Sequence, residues 1–154
     1  AASSGSNWNS TSPTSSVFSV GNNPDTNGSS RTYLALCFAP VYGYSAFGSY
    51  VGNGSADGPF VFTGHRSRFL LIKATSISGE DWVILDTERE TYNTIDSIFF
   101  ANTSNAELTN SGYNTDILSN GFKLGNTNPR FNHSGTAYVY ASFAEHPFKT
   151  ARAR

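Results

Sequence analysis

The densest chemistry in the sequence is "GEDWVILDTERE", where Glu80, Asp81, Asp86, Glu88 and Glu90 crowd together. A glycoside-cleaving enzyme needs two carboxyl groups, one as the acid and one as base or nucleophile. Glu80 and Asp86 are the residues such a polysaccharide-degrading enzyme would use. Arg89 stands between Glu88 and Glu90, so the stretch also reads as a solvated rim of local ion pairs, and that reading is the simpler one. His65 and His133 fall in expected turns and His146 precedes a proline, so each reads as a surface group. No HExxH or Cys/His spacing suggests zinc, and no GxSxG marks a nucleophilic serine. "NGSADG" offers one carboxylate, Asp57, where a calcium loop needs several. No catalytic residue, metal or cofactor is expected.

Binding fits these residue types better than catalysis. Aromatic rings stack on the apolar face of a sugar while neighbouring polar groups bond its hydroxyls. Trp82, Tyr92 and Tyr113 lie outside the clear core alternation, and Asp86 and Arg89 stand close to the first two in sequence. These five residues are the candidate glycan-binding set. The competing reading is that the same rings pack at a rim or a subunit interface.

The elements that must carry them are strands. Short β-branched and aromatic runs alternate with Gly/Asn/Pro/Asp/Ser clusters: 17–20, 31–39, 46–52, 60–64, 68–75, 81–86, 116–125 and 136–144. "DILSNGFKLG" reads as a hairpin centred on Asn-Gly. "RFLLIKAT" has the continuous apolar centre of a strand covered on both faces. Residues 87–108 have some helical potential, since Ile95, Ile98 and Phe99 fit an i, i+3, i+4 spacing, but their many Thr and Asn suit a single turn or an irregular connection at least as well. So many short strands in one chain point to an all-β antiparallel sandwich or jelly roll, with an extended N-terminal arm and a hairpin.

Composition agrees. Charged residues are 14% of the 154, against about 25% in an ordinary domain, and the net charge is −1. That balance gives no footprint for nucleic acid, and no apolar run nears the ~18–20 residues of a membrane span. Eight Tyr and twelve Phe supply ample core material. Abundant Asn, Ser, Thr and Gly with many aromatics is the composition of an extracellular or viral β-protein. The single cysteine, Cys37, excludes an intrachain disulfide and reads as a small buried hydrophobe. Asn-X-Ser/Thr at Asn9, Asn27, Asn53, Asn102 and Asn132 is what so much Asn, Ser and Thr produces by chance.

The sequence also repeats itself. "RTYLALCFAPV" (31–41) matches "TAYVYASFAEHPF" (136–148), with Tyr33 on Tyr138, Phe38 on Phe143 and Ala39 on Ala144. "VFSVGN" (17–22) matches "GFKLGN" (121–126). Residues 17–43 therefore read as the hairpin and closing strand of a preceding module, residues 44–154 as one complete module, and residues 1–16 as a polar arm. Unpaired strand edges seek partners, so Phe18, Tyr33, Leu36 and Phe38 are candidate contacts between subunits.

The runs "YVGNGSADGPFVFTG", "DILSNGFK" and "YVYASFAEHPFKTARAR" resemble the C-terminal modules of tailed-bacteriophage tail-fibre and virion structural proteins, of the marine and cyanophage type. Upstream modules of that family end in a version matched by Tyr33, Ala35, Cys37, Phe38, Ala39, Val41, Gly43, Ser45, Phe47, Gly48, Ser49 and Tyr50. The resemblance spans nearly all of residues 12–154. It implies tandem concanavalin-like β-sandwiches at the distal end of a virion protein, commonly a trimer. It also implies a non-enzymatic role in assembly and host-surface attachment, in the virion or outside the cell. Expected partners are further copies of the chain, other virion proteins or a host cell-surface glycan. It carries over no catalytic or receptor-contact residue.

Overall fold

Where an asparagine stands before a proline, a chain readily turns into a helix: the asparagine oxygen takes an orphan amide and the proline ring presets φ. This happens twice here. The structure, a computed structural model, describes residues 5–147. The chain divides into two compact units, Ala1–Phe38 and Ala39–Arg154.

The first unit holds two short helices, α1 (Gly5–Trp8) and α2 (Pro24–Asn27). Asn23 caps α2, its Oδ1 accepting from the amide of Asp25 at 2.7 Å. The Tyr33 hydroxyl then clasps the turn: it accepts from the amide of Gly28 at 2.7 Å and donates to the carbonyl of Pro24. Asn27 Nδ2 donates to the carbonyl of Gly21 at 2.8 Å, and Ser30 adopts a left-handed φ of 59°. The strands expected at 17–20 and 31–39 do not form. Leu34 and Leu36 are 85% and 71% exposed. An alternating apolar segment becomes a strand when neighbouring strands take its amides and carbonyls, and within this unit none is present among the described residues.

The second unit is an all-β sandwich. Its strands are β1 (Ser45–Val51), β2 (Phe60–Phe62), β3 (Ser67–Ala74), β4 (Val83–Asp86), β5 (Ser97–Phe100), β6 (Leu108–Thr109), β7 (Thr115–Leu118), β8 (Gly121–Leu124) and β9 (Ala137–Ala144). Helix α3 (Pro129–Asn132) links β8 to β9. One sheet runs β1-β9-β3-β4-β5-β6 and the other β2-β8-β7, with every pair antiparallel. Leu70, Ile72, Val83, Leu85, Ile98 and Tyr138 of the large sheet meet Val61, Ile117, Phe122 and Leu124 of the small one, all 6% exposed or less. Burying each such aliphatic side chain contributes about 1.5–3 kcal/mol. Tyr50 and Tyr138 stack with ring centroids 5.0 Å apart. Gly48 is needed opposite Tyr140, because a Cβ there would lie 2.8–3.0 Å from the tyrosine ring.

The turn leading to β9 repeats the one in the first unit, bond for bond. Asn128 caps α3, accepting from the amide of Arg130 at 3.0 Å. The Tyr138 hydroxyl accepts from the amide of His133 at 2.8 Å and donates to the carbonyl of Pro129 at 2.6 Å. Asn132 Nδ2 reaches back to the carbonyl of Asn126 at 2.8 Å, and Gly135 has a φ of 73°.

Two expectations change. Residues 97–100 form β5 rather than a helix, because Ile98 and Phe100 alternate inward and pair against β4. β3 is covered unequally: Leu70, Ile72 and Ala74 are buried, while Phe69, Leu71 and Lys73 on its other face are half-buried. The hairpin at 115–124 forms, with Leu118 opposite Gly121. The part of the expected C-terminal tail beyond Pro147, like residues 1–4 of the arm, lies outside the described residues.

Candidate functional site

Alternation along β4 carries Val83 and Leu85 into the core and so turns Ile84 and Asp86 outward, with Trp82 just ahead on the same side. Register then builds the rest of this outer face. Ile84 lies opposite Leu71 and Phe99, and Leu71 opposite Ala141. Phe69 pairs with Asp86 on one side and Phe143 on the other. The result is a largely apolar surface across β1, β9, β3, β4 and β5, broken by Lys73 and Asp86, with Val51, Val139 and Trp82 59%, 37% and 39% exposed. Ion pairs rim it: Arg68–Glu88 at 2.6 Å and Arg89–Glu107 at 2.8 Å. Arg89 also lies over the Phe99 ring at 4.6 Å, and its bond to Glu107 raises its pKa.

Of the five candidate glycan residues, Trp82 and Asp86 share this face and Arg89 joins it through Phe99. Tyr92 is 85% exposed in the connection between β4 and β5. Tyr113 packs against the core, 6.1 Å from the Phe131 ring, so it is not a fifth member of one surface site. Beside Trp82 stands a polar group: Asn102 Oδ1 accepts from the Trp82 amide and its Nδ2 donates to Asp81, both at 2.9 Å. Phe18, Tyr33, Leu36 and Phe38, the candidate intersubunit set, are 42%, 43%, 71% and 62% exposed, with the Tyr33 hydroxyl already engaged in its clasp.

The carboxylates take structural work. Asp86 accepts from the Glu88 amide at 2.9 Å, and Glu80 faces Arg130 at 3.7 Å. From Trp82 to Asp86 the extended chain covers ~13 Å, and Glu80 lies beyond Trp82, whereas glycosidase pairs sit about 5–9.5 Å apart. Glu90 Oε2 accepts from the amides of Asp96 and Ser97 at 3.0 and 2.8 Å. Desolvation first, and then the nearby Glu90, raise the pKa of Asp96.

A second feature was not expected. His65 is 8% exposed, a correction to its reading as a surface group. Its Nε2 meets Ser142 Oγ at 2.8 Å, and Ser142 Oγ meets Ser67 Oγ at 2.7 Å. Burial lowers the imidazole pKa, and Nδ1 has no hydrogen-bond partner. Burial alternates here, with Val61, Thr63, His65 and Ser67 buried at every second position through the turn after β2, a period the sequence hides because three of the four are polar. A cleft of about 510 Å³ opens beside it, lined by His65, Tyr42, Arg66, Ser119 and Glu145. Ser142 is 0% exposed, so the hydroxyl next to the imidazole is out of a substrate's reach. Cys37 is exposed, not buried as its sequence context suggests, because its own segment, residues 31–39, joins no sheet. Among the described residues no group of three or more His, Cys, Asp or Glu is placed to hold a metal ion, and no helix is long and apolar enough to cross a membrane.

A family model described as "Domain of unknown function (DUF7483)" matches residues 1–147. The chain belongs to that family. The match spans the repeated N-terminal segment as well as the sandwich. No curated protein and no solved structure gives a significant match.

Proposed function

We propose that the chain is a non-enzymatic virion component, a module of a phage tail fibre or related appendage that assembles through its outer sheet face and is displayed for host-surface attachment. The observation that carries this reading is the apolar face of the six-stranded sheet, with Leu71 and Ile84 at its centre. Its rim supports a second copy of the chain as the occupant. Arg68–Glu88 and Arg89–Glu107 put both charge signs along one border, so two copies can oppose unlike charges. The virion setting rests on the sequence resemblance. In sedimentation at micromolar concentration the chain should form an oligomer, and Leu71→Lys or Ile84→Lys should yield folded monomers. A wild-type chain that sediments as a monomer overturns the assembly reading.

A lectin-like role is the second reading, favoured by the half-exposed Trp82 indole beside Asp81 and Asn102. A glycan array should then give hits that Trp82→Ala abolishes; an array without hits removes this reading. A polysaccharide-degrading activity has no such cluster behind it.

A further inference from the structure

The likeness between the two units is wider than one turn. In the sandwich the amide of Gly125 bonds the carbonyl of Asn114 at 3.0 Å; in the first unit Gly21 bonds Asn7 the same way at 2.9 Å. The hairpin that pairs Leu118 with Gly121 has its counterpart in Thr14 and Val17, whose amide and carbonyl meet at 2.8 Å. Helix, asparagine cap, left-handed residue and tyrosine clasp then follow in the same order. From Thr14 to Tyr33 the first unit repeats these bonds, without the strands, of the path that closes the sandwich.

The two paths part after the tyrosine. In the sandwich, Tyr138 opens β9, which bonds β1 on one side and β3 on the other. In the first unit, Tyr33 opens a segment with no strand. Its side chains nonetheless suit a central position. Tyr33, Ala35 and Cys37 stand where Tyr138, Tyr140 and Ser142 face the core, and Leu34 and Leu36 stand where Val139 and Ala141 face outward. The pattern matches β9, whose inward residues Tyr138 and Ser142 are 0% exposed and whose outward residues Val139 and Ala141 are apolar.

We infer that residues 33–38 are a closing strand that fills the central place in the larger sheet of a second module of this fold. The partner surface is the open slot between that module's counterparts of β1 and β3, bonded in the registers that β9 uses. This does not depend on what the outer face binds, so either reading can fail alone.

The test is a fusion in which a second copy of residues 39–104 precedes the intact chain, supplying β1 to β5 and so both walls of the slot. Hydrogen exchange at the amides of 33–38 should slow at least about 100-fold relative to the chain by itself, approaching the rates at 138–143. Leu36→Pro, which removes one strand amide and lies outside the second unit, should abolish that protection and leave 138–143 protected. Exchange at 33–38 as fast in the fusion as in the chain alone overturns the inference. So does protection that survives Leu36→Pro.

Discussion

Residues 23–38 and 128–143 share a cap, a clasp and a pattern, yet one run ends exposed and the other ends at the centre of a sheet. Tyr138 is 0% exposed and Tyr33 is 43% exposed. The turn forms in both because its bonds are local: an asparagine to an amide two residues on, a tyrosine hydroxyl to groups five and nine residues back. The strand forms only where β1 and β3 receive it, because ladder bonds belong to the pair and not to the segment.

The largest break in this comparison should come from the twin asparagines. Asn132 is 0% exposed; its Nδ2 serves Asn53, Ser55 and Asn126, and its Oδ1 accepts from the Asn53 amide at 2.7 Å. Asn132→Ala leaves several buried groups unpaired and should cost about 3–5 kcal/mol in urea unfolding. Asn27→Ala should leave that transition within about 0.5 kcal/mol. Equal losses would mean the two turns are equally embedded.

A smaller contrast separates the tyrosines. Tyr138→Phe removes a hydroxyl that both accepts and donates, at 2.8 and 2.6 Å, and should cost about 1–3 kcal/mol of sandwich stability. Tyr33→Phe should not move the same melt.

The smallest effect concerns the far end of β9, where Ser142 meets His65. The imidazole pKa is lowered in the fold from its usual 6.5 by burial. The unfolded chain therefore binds the proton first, and stability present above pH ~6.5 is lost as pH falls through that value toward the lower folded pKa. A series of melts should show this slope, and His65→Gln should flatten it.

Much of the sandwich was legible in the sequence. Apolar runs between turn-forming clusters placed β1, β2, β3, β4 and β9, and the Asn-Gly pair placed the hairpin of β7 and β8. The misses share a cause. Residues 97–100 mimic a helical spacing that pairing with β4 overrides. Residues 31–39 alternate as well as β9 does, but sequence does not supply their neighbours. The candidate site was legible in part: Trp82 and Asp86, close in sequence, share one face, whereas Tyr113, in the helical turn Ser111–Tyr113, packs against the core beside Phe131. His65 went unread because its partner Ser142 lies on β9, distant in sequence and adjacent only through the β3–β9 pairing.

One substitution between the twins has a practical use. Ser142, sealed at the sheet centre, corresponds to Cys37, which is exposed and is the single thiol of the chain. A maleimide dye should label it at once while residues 33–38 form no strand and slowly once they join a sheet. The sequence thus carries its own optical gauge of strand closure, at a position where no residue need be engineered.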